Sequence, residues 1–70
     1  MKEFKITYFF DDTHYVRRFV HMASQQQAEK LIKDERDQYI SFTDNRGIYH
    51  ELHTGHVRII QLAEYHRKDT

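Results

Sequence analysis

Cysteine is absent from the 70 residues, and several kinds of site are absent with it. Without cysteine the chain has no disulfide framework, no thiolate nucleophile and no zinc site of the cysteine type. A secreted domain of this size usually needs such cross-links, so we expect a cytoplasmic protein in a reducing environment. Glycine is also scarce, since Gly47 and Gly55 are the only two, and this excludes a glycine-rich phosphate-binding loop.

Net charge and long apolar runs are missing as well. Eleven Lys and Arg residues balance eleven Asp and Glu residues, so no net field attracts nucleic-acid phosphates or anionic lipid. The N-terminal apolar stretch is interrupted by Lys5 and Thr7, and we therefore expect neither a signal peptide nor a membrane span. Six histidines form a reservoir of positive charge that protonation would release below neutral pH.

The length predicts one small domain over residues 1–70, with a polar tail that frays at about residues 66–70. It leaves no room for an enzyme built from two domains around a cleft. A chain of this size buries only about 60% of the surface that its unfolded form exposes. It therefore gains stability by pairing with a copy of itself or with a partner protein.

Alternation of apolar and polar residues predicts an N-terminal hairpin. Every second residue from Phe4 to Phe10 is apolar, which is the period of a strand with one buried face. The polar cluster at residues 11–13 is suited to a turn, and the adjacent carboxylates of Asp11 and Asp12 are expected to serve that turn rather than to bind magnesium. A second strand, rich in aromatic and β-branched residues, follows from Tyr15 to Met22.

A helix is predicted next, followed by three further strands. Ser24 and Gln27 form a capping box, in which the Ser24 hydroxyl accepts from the Gln27 amide and the Gln27 side chain returns to Ser24. The helix extends to about Arg36. The predicted later strands are Tyr39–Thr43, Ile48–His53 and His56–Tyr65, the first two joined by a turn at residues 44–47. The pattern predicts an α+β fold, with order β-β-α-β-β-β, in which one helix packs on one face of a small antiparallel sheet and the last three strands form a meander.

More apolar side chains are available than one helix can cover. The helix presents only a narrow apolar stripe, whereas the strands have apolar residues on both sides. We expect Phe9, Tyr15, Phe19, Ile60 and Leu62 to lie on the face away from the helix. That excess predicts association with another polypeptide.

The segment from His50 to His56 holds three imidazoles and one carboxylate, which are ligands that zinc accepts. The helical metalloprotease pattern needs two histidines four residues apart, and this segment instead has the spacing and character of a strand. Only His53 and His56 are expected to converge, and only if the turn between them folds His56 back. A metal site at these two residues is therefore the second alternative function.

Single-stranded nucleic-acid binding is the first alternative. Sheets with that function combine cations with exposed aromatic rings, and the predicted strands contain both residue types. Against it, the cations are interleaved with acids, and no aromatic motif of the common RNA-binding modules is present.

The preferred hypothesis is a non-enzymatic protein-binding or regulatory module that self-associates through its sheet, needs no cofactor and has no membrane partner. Its size and composition are typical of small proteins encoded by bacteria or their phages. Aromatic and arginine side chains supply most anchors in such interfaces. The candidate interaction residues are Tyr15, Arg17, Phe19, Tyr49, Arg58 and Tyr65.

Overall fold

Five strands and one helix lie along residues 1–66, which are the residues that the computed structural model describes. In chain order the elements are β1 (Lys2–Phe9), β2 (Tyr15–Met22), α1 (Gln25–Asp34), β3 (Tyr39–Thr43), β4 (Tyr49–His53) and β5 (Ile59–Glu64), with a short 3₁₀ helix at Thr54–His56. The predicted order and the α+β class are confirmed. Fraying was predicted for residues 66–70, and all of these except His66 lie outside the described residues.

Aspartate side chains build the turns of both hairpins. Between β1 and β2, Asp11 Oδ1 accepts the backbone N–H groups of Thr13 and His14, each at 2.8 Å. These hydrogen bonds, the one from Thr13 foremost, lower the pKa of Asp11 well below its ordinary value. Between β3 and β4, Asp44 has the same role, and Gly47 takes the positive φ of +83° that the turn requires.

The helix begins at the predicted cap. Ser24 Oγ accepts the Gln27 N–H at 3.3 Å, but the Gln27 side chain accepts from the Ala23 N–H rather than from Ser24. The helix ends at Asp34, two residues before the predicted end, and Asp37 then adopts a φ of +54°. Aspartate tolerates this left-handed conformation better than most residues, and it turns the chain toward β3.

The pairing of β5 differs from the predicted meander. Two sheets form: a three-stranded sheet in the order β2-β1-β5 and a two-stranded sheet of β3 and β4, all antiparallel. Thr54 redirects the chain, because its hydroxyl donates to the Glu35 carbonyl at 2.7 Å while its backbone N–H donates to the Gln38 carbonyl at 2.9 Å. The Arg58 N–H then donates to the Phe9 carbonyl at 2.8 Å, and β5 continues along β1.

The core lies between the two sheets and the helix. Phe4, Ile6 and Tyr8 of β1 are at most 1% exposed. Ile6 and Tyr8 form a cluster with Ile40 and Leu52 of the β3–β4 hairpin, and Ile32 of α1 packs against it. Ile60 and Leu62 pack against this same core. The prediction that these two residues lie on the face away from the helix was therefore wrong, because β5 presents its even-numbered residues to the core.

One partly buried arginine, Arg18, contacts both sheets and the end of the helix beside the core. Arg18 of β2 donates to Glu35 Oε1 at 2.8 Å and to the Tyr8 hydroxyl at 3.3 Å. Its guanidinium also lies 5.5 Å from the ring centroid of Phe42 on β3. Burial raises the pKa of Tyr8, although the hydrogen bond from Arg18 opposes that effect. Arg18 thus connects the sheet to the end of the helix and to the second hairpin.

Candidate interaction surface

One side of the three-stranded sheet has no layer of described residues over it. Directly paired residues of antiparallel strands project to the same side, so the pairing register defines this side, which we call the outer face. The helix and the β3–β4 hairpin both pack against the opposite, inner face. The outer face comprises Glu3, Lys5, Thr7, Phe9, Tyr15, Arg17, Phe19, His21, Ile59, Gln61, Ala63 and Tyr65.

An apolar row crosses the outer face beside the β1–β2 turn. Phe9 pairs with Tyr15 on one side and with Ile59 on the other, so the three side chains lie side by side across the sheet. The rings of Phe9 and Tyr15 are 5.6 Å apart. Tyr15 remains 48% exposed and Ile59 56% exposed, so the apolar row faces solvent.

A second aromatic pair lies toward the other end of the outer face. Phe19 and Tyr65 meet edge to face across β1, with ring centroids 5.0 Å apart. The Tyr65 N–H donates to the Glu3 carbonyl at 2.8 Å, which extends the pairing of β5 and places the ring over the sheet. Both side chains are partly buried.

A cationic depression lies between the apolar row and the second aromatic pair. Its floor is Thr7, which is 6% exposed, and its volume is about 300 Å³. Lys5 and Arg17 supply two positive charges at its rim, and none of the described lining residues is a carboxylate. The Arg17 guanidinium lies 5.1 Å from the ring centroid of Tyr15, a cation–π contact that holds it beside the apolar row.

The predicted interaction residues divide between this face and other parts of the molecule. Tyr15, Arg17, Phe19 and Tyr65 lie together on the outer face. Tyr49 lies on β4 of the second hairpin, 60% exposed, and Arg58 precedes β5 at the end of the sheet.

Sequence reasoning left several outer-face residues out of the candidate set. These are Lys5, Thr7, Phe9, Ile59, Gln61 and Ala63. For Phe9 there was a signal, because it interrupts the alternation of β1. For the residues of β5 there was none, since their position depends on pairing with β1.

The turn after β4 does fold His56 back toward His53. Their ring centroids are 5.1 Å apart, and His53 Nδ1 accepts the Gly55 N–H at 3.0 Å. The rings of Tyr39 and His53 also meet edge to face, with centroids 4.7 Å apart. Within residues 1–66, however, no group of three histidine, cysteine or acidic side chains is placed to hold a metal ion. Zinc sites in proteins take three or four protein ligands.

A larger concavity, of about 550 Å³, lies elsewhere, between α1 and β5. Its floor is apolar, with Ile32 and Leu62 among the lining residues. Its rim has charges of both signs, including Lys33 and Arg36 beside Asp37. This mixed lining selects no ligand charge, in contrast to the cationic depression.

Comparisons of the chain with protein-family models, with curated proteins and with solved structures each found no match. Within residues 1–66, no helix combines the length and the apolar character needed to cross a bilayer.

Proposed function

We propose that the chain is a non-enzymatic, cytoplasmic module that binds another polypeptide, either a second copy or a different protein, through its outer face. The observation that carries this proposal is the solvent-facing apolar row of Phe9, Tyr15 and Ile59 on a sheet whose other face packs against the core. Covering the exposed half of such a side chain contributes about 1 kcal/mol. The absence of cysteine supports the cytoplasmic location.

The composition of the face also supports protein binding. Interface anchors are enriched in tyrosine and arginine, and the Tyr15–Arg17 contact holds both kinds of anchor in place before a partner arrives. Polar residues such as Gln61 surround the apolar row. An apolar centre with a polar rim is the usual arrangement of a non-obligate interface.

The causes of the lowered carboxylate pKa values agree with a non-enzymatic role. Lowered pKa values often mark catalytic groups, and here the values of Asp11 and Asp44 are the most lowered. Asp44 accepts a hydrogen bond from His50 and others from backbone amides, and Asp11 accepts from backbone amides and from His14, all in or beside the hairpin turns. Their ionisation therefore has a structural explanation.

Single-stranded nucleic acid is the alternative that the outer face raises, because aromatic rings and cations share it. Base stacking needs free ring faces. Here the Tyr15 ring is contacted by Arg17, and the rings of Phe19 and Tyr65 pack on each other. These contacts favour a protein over a nucleic acid.

Site-specific photocrosslinking in cells tests the proposal. A benzophenone amino acid replaces Tyr15 in one variant and Tyr39 in a control; Tyr39 is 79% exposed but belongs to the second sheet. We expect a discrete polypeptide adduct from position 15 and none from position 39. Introducing Ile59→Asp should remove the adduct, because it places a charge in the apolar row. Equal adducts from both positions, or none from position 15, would contradict the proposed function.

A further inference from the structure

We infer that the partner presents an acidic segment, in which a carboxylate enters the cationic depression while neighbouring apolar side chains cover the apolar row. This inference rests on the proposed function and names the chemistry of the partner. Its basis is the charge of the depression: Lys5 and Arg17 line it, and no carboxylate does so among the described residues.

These two cations differ from others in the molecule. Lys2, Arg18 and Lys30 each lie within 4.0 Å of a carboxylate of the same chain. Among the described residues, neither Lys5 nor Arg17 has such a partner. Lys33, Arg36 and Arg58 also lack one within residues 1–66, but they line the larger concavity together with two acids, Glu29 and Asp37, whereas no described acid lines the cationic depression. Complementary charge on a partner steers association and fixes its register, and two neighbouring uncompensated cations select a negative group.

The depression has room for an acidic side chain. Thr7 forms a low floor between longer neighbours, which leaves about 300 Å³ beside the Arg17 guanidinium. A guanidinium can donate two parallel hydrogen bonds to one carboxylate. Because Arg17 already rests against Tyr15, fixing its side chain on binding costs less conformational entropy than fixing a free arginine.

A second copy fits this face less well than an acidic partner does. A symmetric dimer that packs outer face on outer face has a two-fold axis, so residues near the axis meet their own counterparts. The depression lies between the apolar row and the second aromatic pair, near the middle of the face. An axis there brings Lys5 and Arg17 against the same cations of the other copy, and like charges in an interface oppose association.

Labelled peptides test the inference directly. The probe is a short fluorescent peptide with leucine or glutamate at every second position and serine between them, so that in an extended conformation both residue types face the same side. It is compared with matched peptides carrying glutamine or lysine in place of glutamate. Fluorescence anisotropy should show binding of the glutamate peptide about tenfold tighter than that of the glutamine peptide, as expected for charge-assisted hydrogen bonds. Equal affinity for the three peptides would overturn the inference.

Charge reversal gives a result that unfolding cannot imitate. Arg17→Glu should weaken binding of the glutamate peptide and create a preference for the lysine peptide. Lys33→Glu, on the exposed face of α1, is the matched control and should leave the original preference unchanged. Loss of all binding in Arg17→Glu, with a folded protein but no gain for lysine, would contradict a direct charge contact.

Two further measurements separate this inference from the proposed function. Light scattering over a concentration series should show a monomer. A dimer that Ile59→Asp dissociates would overturn the acidic partner while leaving protein binding intact. A labelled oligothymidine should bind more weakly than the glutamate peptide, and tighter binding that Arg17→Glu abolishes would replace both proposals with nucleic-acid binding.

Discussion

The two faces of the central strand β1 differ in what completes them. On the inner face, Phe4, Ile6 and Tyr8 are at most 1% exposed, and residues of the helix and of the second hairpin pack on this face. On the outer face, Phe9 lies in an apolar row whose flanking members, Tyr15 and Ile59, remain about half exposed. The chain therefore covers one face with its own residues and leaves the other open over residues 1–66.

Both faces of β1 contain apolar residues, so apolar content alone does not identify the core. Neighbouring residues in a strand project to opposite faces, so two adjacent residues of the same type can have different roles. Ile59 and Ile60 of β5 are such a pair, and so are Arg17 and Arg18 of β2. Each pair offers an internal control for the contrast between folding and binding.

The largest effect is expected from aspartate at the two isoleucines. Ile60→Asp puts a charge against the core and should cost more than about 3 kcal/mol, enough to unfold a domain with about 3–5 kcal/mol of stability. Ile59→Asp changes a side chain that is 56% exposed and should cost less than about 1 kcal/mol. Urea denaturation followed by circular dichroism measures both. Similar losses in the two variants would show that the outer face is also part of the folded core.

Variants of the two arginines, Arg17 and Arg18, should show the same contrast in stability with smaller losses. Arg18→Gln leaves Glu35 without its partner in a setting where the two side chains are 15% and 21% exposed, and we expect a loss of about 1–3 kcal/mol. Arg17→Gln removes only a cation–π contact with an exposed ring and should cost less than about 1 kcal/mol. Binding of an acidic peptide should show the reverse order. If Arg17→Gln is the more destabilising change, the outer face contributes to folding more than its exposure indicates.

These paired residues also show how much the sequence could predict. Alternation correctly assigned Phe4, Ile6 and Tyr8 to one buried face, because a period of two needs no tertiary information. Local chemistry was equally informative at Ser24, whose hydroxyl caps the helix, and at the turn that ends with Gly47. Such features depend on contacts between residues close in the chain.

The partner of β5 could not be predicted in this way. Alternation tells which residues of a strand share a face, but it does not tell which strand lies beside it. Ile60 and Leu62 were therefore placed on the wrong side, and Ile59 was missed as a neighbour of Phe9. The Thr54 hydroxyl, which redirects the chain, donates to the carbonyls of Gln38 and Glu35, which precede it by 16 and 19 positions. Four of the candidate interaction residues share one face because β2 and β5 both flank β1.

The aspartates of the two hairpin turns should make stability depend on pH in different ranges. The hydrogen bond from His50 at 2.8 Å, with those from the Ile48 and Arg46 amides, lowers the pKa of Asp44 to about 2. Because this value lies below the ordinary one of 3.8, folding favours the ionised carboxylate. Its contribution is complete above about pH 4 and is lost as pH falls toward 2.

The variant Asp44→Asn should therefore be less stable than the wild type at pH 6, and the difference should shrink as pH falls from 4 to 2. Urea titrations across this range measure it. Asp11→Asn, in the turn beside the apolar row, is the matched variant. Because the pKa of Asp11 is lowered further, its difference from the wild type should persist to lower pH. A difference for Asp44→Asn that stays constant with pH would show that the effect is one of shape and not of charge.

The smallest effect is expected from the addition of zinc on Tm. This measurement tests whether a second functional site lies away from the outer face. His53 and His56 lie on the second sheet and its following turn, away from the outer face, and they offer two imidazoles without a third ligand among residues 1–66. Two ligands hold zinc weakly, so a modest excess of zinc should raise Tm by less than about 2 °C. The double variant His53→Ala, His56→Ala should respond as the wild type does. A larger rise in Tm that this variant loses would place a metal site at the turn after β4. The outer face would then explain association with a partner, and the metal site would be a separate function.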